Sequence, residues 1–164
     1  MNARPAPVLV ARPMLARDVD AVMAVEVRAY AFPWSRGNFI DSLAAGYLAE
    51  VRVDARAGIV GYMVAMPGVG ELHLLNLTVA PEWQGQGIAG EMLDALEAHG
   101  RRQGFDTLWL EVRASNERAQ ALYRRRGFAA VGTRRGYYPA ARGTREDAVV
   151  MSERLLPEDR GALD

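Results

Sequence analysis

The segment Gln84-Gly85-Gln86-Gly87-Ile88-Ala89 comes directly after a strand-like run and opens a helix-like one. A turn of this kind aims successive backbone N–H groups outward, and the positive end of the helix dipole reinforces them, so it can hold a pyrophosphate. Glycine at 85 and 87 lets such a group approach the main chain closely. The pattern is weak alone, because any tight strand-to-helix turn can carry two glycines. No Lys-Ser/Thr follows to make it a Walker loop, and the dinucleotide fingerprint does not fit. Downstream, Glu111 interrupts the apolar run Leu108-Trp109-Leu110-Glu111-Val112. Burial there would disfavour its charged form and raise its pKa, making it a better base. On spacing alone an edge glutamate paired with a nearby arginine is the favoured reading. Asn116 and Tyr123 are seven residues apart, two helical turns, and share a face with Ala119 between them. A helix cap and a core-anchoring ring are the plain alternatives for these two.

Phe32-Pro33-Trp34 and Tyr137-Tyr138-Pro139 are stiff aromatic segments, suited to line a groove for an extended peptide or to fill space under a loop. From Arg118 to Arg145 there are eight arginines and no Asp or Glu. A solvated helix face accounts for part of this, since Arg124, Arg125 and Arg126 cannot all point one way. His73 alternates with core positions and His99 lies near a helix end, so neither is given a role.

Composition narrows the possibilities. With 164 residues, 50% apolar and 24% charged, the chain is about one domain of an ordinary globular protein. It has no Cys, which excludes disulfides, Cys-ligated metal and acyl-Cys intermediates. The formal net charge of zero argues against a whole-surface nucleic-acid platform. All 20 basic residues are Arg, a bias that nucleotide composition explains more simply than a need for guanidinium geometry. No apolar run approaches the roughly 20 residues of a membrane helix. Met1–Arg12 lacks the apolar stretch of a signal peptide, so a cytoplasmic location is expected.

The elements that must position these residues follow from the same chain. A strand is predicted at Val8–Val10, then a helix capped by Asp18 through Ala29, ended by Phe32-Pro33. Ser35 starts a second helix to Leu43, closed by Gly46. Strands at Tyr47–Val53, Ile59–Met66 and Leu72–Val79 form a meander, with Asp54–Gly58 as its first connection. A helix runs from Gly87 to about Arg102. Thr107–Val112 is apolar enough for a strand covered on both faces. A helix over Asn116–Arg126 and strands at Phe128–Thr133 and Ala148–Ser152 complete the set. One parallel crossover joins Leu72–Val79 to Thr107–Val112. The fold class is α+β, a single domain over residues 1–156 with a mobile tail over 157–164.

Taken together, the Gln84–Ala89 turn and the Glu111 to Phe128 segment resemble the acetyl-CoA site of the GNAT N-acetyltransferase superfamily. The resemblance narrows on Trp109-Leu110-Glu111-Val112-Arg113-Ala114-Ser115-Asn116, Ala121-Leu122-Tyr123 and Gly127-Phe128. With Ala31–Ser35, Tyr137-Tyr138-Pro139 and Arg145–Ala148, these segments are similar to the RimI-type ribosomal-protein-alanine N-acetyltransferases. The matches span Asp18 to Met151. The resemblance implies a mixed, mostly antiparallel twisted sheet of about seven strands with four helices, its central strands splayed to form the acetyl-CoA site. It implies that Leu77, Thr78, Val79, Gln84, Gly85, Gln86, Gly87, Ile88, Ala89, Gly90 and Asn116 contact acetyl-CoA. Glu111 would be the general base and Tyr123 the general acid, with Phe32, Pro33, Trp34, Tyr137 and Tyr138 bordering the acceptor. Gln84-Gly85 replaces a more basic start of the turn, and Ala89 takes a place often held by Gly, which leaves phosphate affinity resting on backbone N–H groups.

The implied activity is acetylation of the N-terminal alanine of a ribosomal small-subunit protein (protein eighteen), by direct attack in a ternary complex. An α-amino group, with a pKa near 8, is neutral far more often at pH 7 than a lysine near 10.4, a difference of about 3.3 kcal/mol. A modest carboxylate base therefore favours a chain N-terminus. Acetylation of a small-molecule amine and a non-catalytic acyl-CoA sensor are the rival readings; the aromatic segments speak against the first, Glu111 and Tyr123 against the second. Acetyl-CoA is the only co-substrate expected, with no metal, no membrane, no direct nucleic-acid contact and a monomeric enzyme.

Overall fold

The computed structural model describes residues 8–155. The predicted tail at 157–164 and the first seven residues of the chain lie outside that range. Seven strands form one mixed sheet: β1 (Val10–Pro13), β2 (Leu48–Asp54), β3 (Gly58–Pro67), β4 (Glu71–Val79), β5 (Thr107–Arg113), β6 (Ala129–Pro139) and β7 (Arg145–Arg154). Their order across the sheet is β1-β2-β3-β4-β5-β7-β6. Four helices accompany them: α1 (Val19–Ala29), α2 (Arg36–Ala44), α3 (Ile88–Arg102) and α4 (Glu117–Arg125). The pair β4–β5 is parallel, while β1–β2, β2–β3, β5–β7 and β6–β7 are antiparallel. This is the α+β class expected, including its one parallel crossover. None of the described helices is long and apolar enough to cross a membrane.

Two compact units divide the chain: residues up to Ala65 with Asn76–Leu93, and Met66–Leu75 with residues from Asp94 on. In the first, Ser35 caps α2 as expected, accepting from the Asn38 N–H at 3.1 Å while the Asn38 side chain accepts from the Ser35 N–H at 2.8 Å. Asp18 behaves differently. Its carboxylate accepts from the Leu15 N–H at 2.8 Å and from the Arg12 guanidinium at 2.7 and 2.9 Å, so it makes no side-chain cap on α1. The Arg12 hydrogen bonds, with the Leu15 N–H, hold its pKa below the usual carboxylate value. Val19, Val22 and Val25 of α1, Phe39 of α2 and Val51, Val60, Tyr62 and Val64 of the strands are buried. The rings of Phe39 and Tyr62 meet edge-on at 5.7 Å. The first strand begins at Val10 instead of Val8, because its ladder starts at Val10–Val53.

In the second unit, Leu72, Leu74, Leu96, Leu108, Leu110, Phe128 and Met151 are buried. At Gly100 a Cβ would lie 2.5 Å from Leu155 Cδ1, so a larger residue there would make the Leu155 side chain shift. β5 departs from the sequence expectation. Only Leu108, Leu110 and Val112 are buried, while Thr107, Trp109, Glu111 and Arg113 are half-buried on the other face. β6 and β7 are also longer than predicted, running to Pro139 and starting at Arg145. Register shifts between Ala130 and Gly132 and between Arg134 and Tyr138 erase the alternation that would have marked β6 in the sequence.

Candidate active site

In the first unit the strand-to-helix turn forms as predicted. β4 ends at Val79, a short 3-10 turn covers Pro81–Trp83, and α3 begins at Ile88. Gln84 folds back so that its amide donates to the Val79 carbonyl at 3.2 Å, tying the turn to the strand end. Gly85 and Gly87 have φ of 77° and 83°, a region that disfavours L side chains, and the space beside each is open. The first-turn N–H groups of α3, which no helix can satisfy internally, leave from this point. Beneath the turn, the buried Arg52 guanidinium donates to Glu91 at 2.7 and 3.2 Å and to Glu50 at 3.0 Å. Arg52, Gln86, Gly87, Ile88 and Glu91 line a small cavity of about 200 Å³ there.

The same unit holds the first aromatic segment. Phe32 and Pro33 are exposed, and half-buried Trp34 stands 5.0 Å from Phe39. Trp34 donates its backbone N–H to Glu26 at 3.2 Å. Glu26 is a fully buried carboxylate that also receives the Tyr62 hydroxyl and the Asn76 amide; burial pushes its pKa up. Thr78 and Val79 are buried and Leu77 half-buried.

In the second unit Glu111 is enclosed, its side chain 8% exposed. One carboxylate oxygen lies 2.5 Å from His73 Nε2 and the other 3.2 Å from Arg134 Nε. On this face β5 is open: His73, Trp109, Glu111 and Arg134, with Met66, Glu71 and Val150, line a cavity of about 290 Å³. A buried carboxylate beside a space of that size can take a proton from a bound group. Sequence reasoning gave His73 no role and did not single out Arg134. The only available signal for His73 was its parity with Glu111, because β4 and β5 run parallel and in register from Glu71–Thr107 to Leu74–Leu110.

Asn116 caps α4, accepting from the Ala119 N–H at 3.1 Å. Buried Tyr123 stands 5.6 Å from Phe128, ring to ring. Between β5 and α4, the Gln120 amide donates to the Arg113 and Ala114 carbonyls at 3.1 and 3.0 Å and fixes the angle of the helix. Tyr137 and Tyr138 meet edge-on at 4.9 Å, and the Arg113 guanidinium lies 4.6 Å above the Tyr138 ring. Burial raises the Tyr138 pKa and keeps its hydroxyl protonated. Arg145, Glu146 and Asp147 hold these tyrosines in place. Arg145 donates to the Gly136 and Tyr137 carbonyls, Glu146 accepts from Arg113 and the Ser115 N–H, and Asp147 accepts from the Gly136 N–H. Among the described residues no group of three or more His, Asp or Glu could hold a metal ion.

Comparison with known proteins adds to this geometry. The model of the acetyltransferase (GNAT) family matches residues 19–128. The chain is 37% identical over 136 residues to the [ribosomal protein bS18]-alanine N-acetyltransferase of Haemophilus ducreyi, covering 83% of this chain and 93% of that one. It is 38% identical over 135 residues to the enzyme of the same name from Escherichia coli K12, covering 82% and 90%. A crystal structure of the ribosomal-protein-S18-alanine N-acetyltransferase from Escherichia coli superimposes with a TM-score of 0.83 at 33% identity, over 94% of this chain and 99% of that one.

Proposed function

The chain belongs to the acetyltransferase (GNAT) family, and on that premise we propose that it moves the acetyl group of acetyl-CoA to the N-terminal alanine of the ribosomal small-subunit protein bS18. The observation that carries this reading is Glu111: an enclosed carboxylate at the wall of an open cavity, on a strand that lies within the match to the GNAT family.

Acetyl-CoA supplies an activated acyl group, and the rest is the work of this chain. The turn from Gln84 to Gly90, with Asn116 and the Leu77–Val79 edge, binds the nucleotide and pantetheine portions. The residues fit such a group: Gly85 and Gly87 adopt left-handed backbone beside open space, and the start of α3 favours negative charge. Phe32, Pro33, Trp34, Tyr137 and Tyr138 border the acceptor peptide. Glu111 takes the proton of the α-amine, directly or through one water, while His73 and Arg134 keep its carboxylate in place. The Val79 N–H donates to the carbonyl oxygen as negative charge builds there. Tyr123 gives the proton of its hydroxyl to the departing sulfur.

The test is acetyl transfer followed by intact mass. A peptide with a free N-terminal alanine should gain one acetyl group, whereas an N-blocked lysine peptide and a polyamine should not. Modification of the polyamine in preference to the peptide would refute the reading, and so would acetyl-CoA binding without turnover on any acceptor. In cells, bS18 from a strain lacking the gene should be lighter by one acetyl group.

A further inference from the structure

Glu26 takes no part in the transfer steps above, yet it is 1% exposed and sits in a buried polar cluster of the first unit. Its carboxylate accepts from the Trp34 backbone N–H at 3.2 Å, from the Asn76 amide at 3.3 and 3.4 Å, and from the Tyr62 hydroxyl. Beyond it, the Thr78 hydroxyl donates to Asn76 Oδ1 at 2.7 Å. Tyr30, whose hydroxyl lies 2.7 Å from Thr78 Oγ1 and 3.2 Å from the Leu77 carbonyl, closes the chain of bonds. A well-packed apolar side chain would serve stability at such a position as well as a buried carboxylate or better. What an apolar side chain could not do is grip a loop N–H and a strand's side-chain amide at once.

We propose that Glu26 is a positioning residue, which through Trp34 on one side and Asn76, Thr78 and Tyr30 on the other holds the Phe32–Trp34 segment and the Leu77–Val79 stretch of β4 as one piece. The incoming amine and the acetyl group are thereby kept in register. The inference rests on the acceptor and acetyl-CoA roles assigned to those two segments above. It differs from them in concerning a group that touches neither substrate.

The experiment combines steady-state kinetics on the alanine peptide with amide hydrogen exchange along the whole chain, for wild type, Glu26→Ala, Glu26→Gln, Tyr30→Phe and Asn76→Ala. In folded Glu26→Ala the acceptor KM should rise about tenfold and kcat should fall, with the acetyl-CoA Kd changed by no more than about threefold. Exchange at residues 30–35 and 76–78 should accelerate about tenfold while α4 is unchanged. Glu26→Gln keeps an oxygen for the Trp34 N–H and should recover the acceptor KM to within about threefold of wild type. Tyr30→Phe removes only the hydroxyl's bonds to Thr78 and the Leu77 carbonyl and leaves the Glu26–Asn76 bond to β4, so kcat should fall about twofold to fivefold with the acceptor KM unchanged. Wild-type values throughout in a folded Glu26→Ala would overturn the proposal. If that variant does not fold, unchanged kcat and exchange in both Tyr30→Phe and Asn76→Ala, the second of which removes the amide that Glu26 holds on β4, would overturn it. Should the wild type itself leave the peptide unmodified, the functional reading fails, and the exchange data alone decide the role of Glu26.

Discussion

Replacing Glu153 by Gln should flatten the pH dependence of stability in a calculable window. Glu153 on β7 and Glu97 on α3 are both buried, 9% and 8% exposed, and lie close enough to share a proton. Burial first, then the charge and hydrogen bond of Glu97, pushes the Glu153 pKa from 4.5 up to about 8. The folded state therefore keeps a proton that the unfolded chain releases above pH 4.5. Stability is full below that value, falls as pH rises, and levels off near the folded pKa of about 8. An undiscounted shift of that size would be worth about 5 kcal/mol. Arg101 and Arg126, each within 4 Å of Glu97, already hold that pKa down, and solvent screening of the pair reduces the energy to roughly 2–3 kcal/mol. For a chain of this length that is about 5–10 °C in Tm. Gln can still donate to Glu97 but cannot titrate. The variant should match wild type at about pH 4 and exceed it by that margin at about pH 8.5, measured by scanning calorimetry at constant ionic strength. Carboxylates whose pKa is lowered, such as Asp18 and Glu146, act below the window and cancel in the difference between the two curves. Parallel curves for variant and wild type would refute the shared-proton argument.

Glu111→Gln should lower kcat by about 10²–10⁴ while calorimetry finds the acetyl-CoA Kd within about twofold; a kcat loss under threefold would remove it as the base. Tyr123→Phe should lower kcat by about 10–10² with little change in either KM, and an unaltered rate would hand the proton to another donor. Gly87→Ala places a Cβ at φ 83°, a strain of about 1–2 kcal/mol, and should raise the acetyl-CoA KM up to about tenfold without changing the acceptor KM. An unchanged acetyl-CoA KM there would show that the turn does not seat the pyrophosphate.

Much of the fold was legible because its signals are local. The Ser35 cap, the strand-to-helix glycines and the apolar faces of α1 and β4 each announce themselves within a few residues. Two errors arose where a local signal had a competing use. Asp18 looked like a cap for α1, but an arginine six residues earlier and the Leu15 N–H claim its carboxylate. β6 carries almost no buried side chains and two irregularities in its register, so neither hydrophobic alternation nor length was written in its residues. Tyr137 and Tyr138 therefore read as a loop, although they stand on a strand that Arg145, Glu146 and Asp147 stiffen from the neighbouring one.

The site was legible in its chemistry and illegible in its wiring. Glu111 stood out because a carboxylate in an apolar strand needs a reason; the structure shows the pairing with an arginine, and the side chain also walls a cavity, which is the setting that the proposed base requires. Its partners could not be read in the same way. His73 is 38 residues away, and only the parallel register of β4 on β5 brings the two onto one face. Glu26 was harder still, since in α1 its place looks like any polar position of an amphipathic helix. Its meaning depends on Tyr62 and Asn76, which arrive 36 and 50 residues later. Residues that touch substrate must have a particular chemistry, and that requirement shows in the sequence. Residues that hold them need only the right partner at the right distance, a condition that the fold creates and the sequence does not display. The supporting groups, His73, Arg134 and Glu26, are accordingly where substitutions should separate stability from turnover.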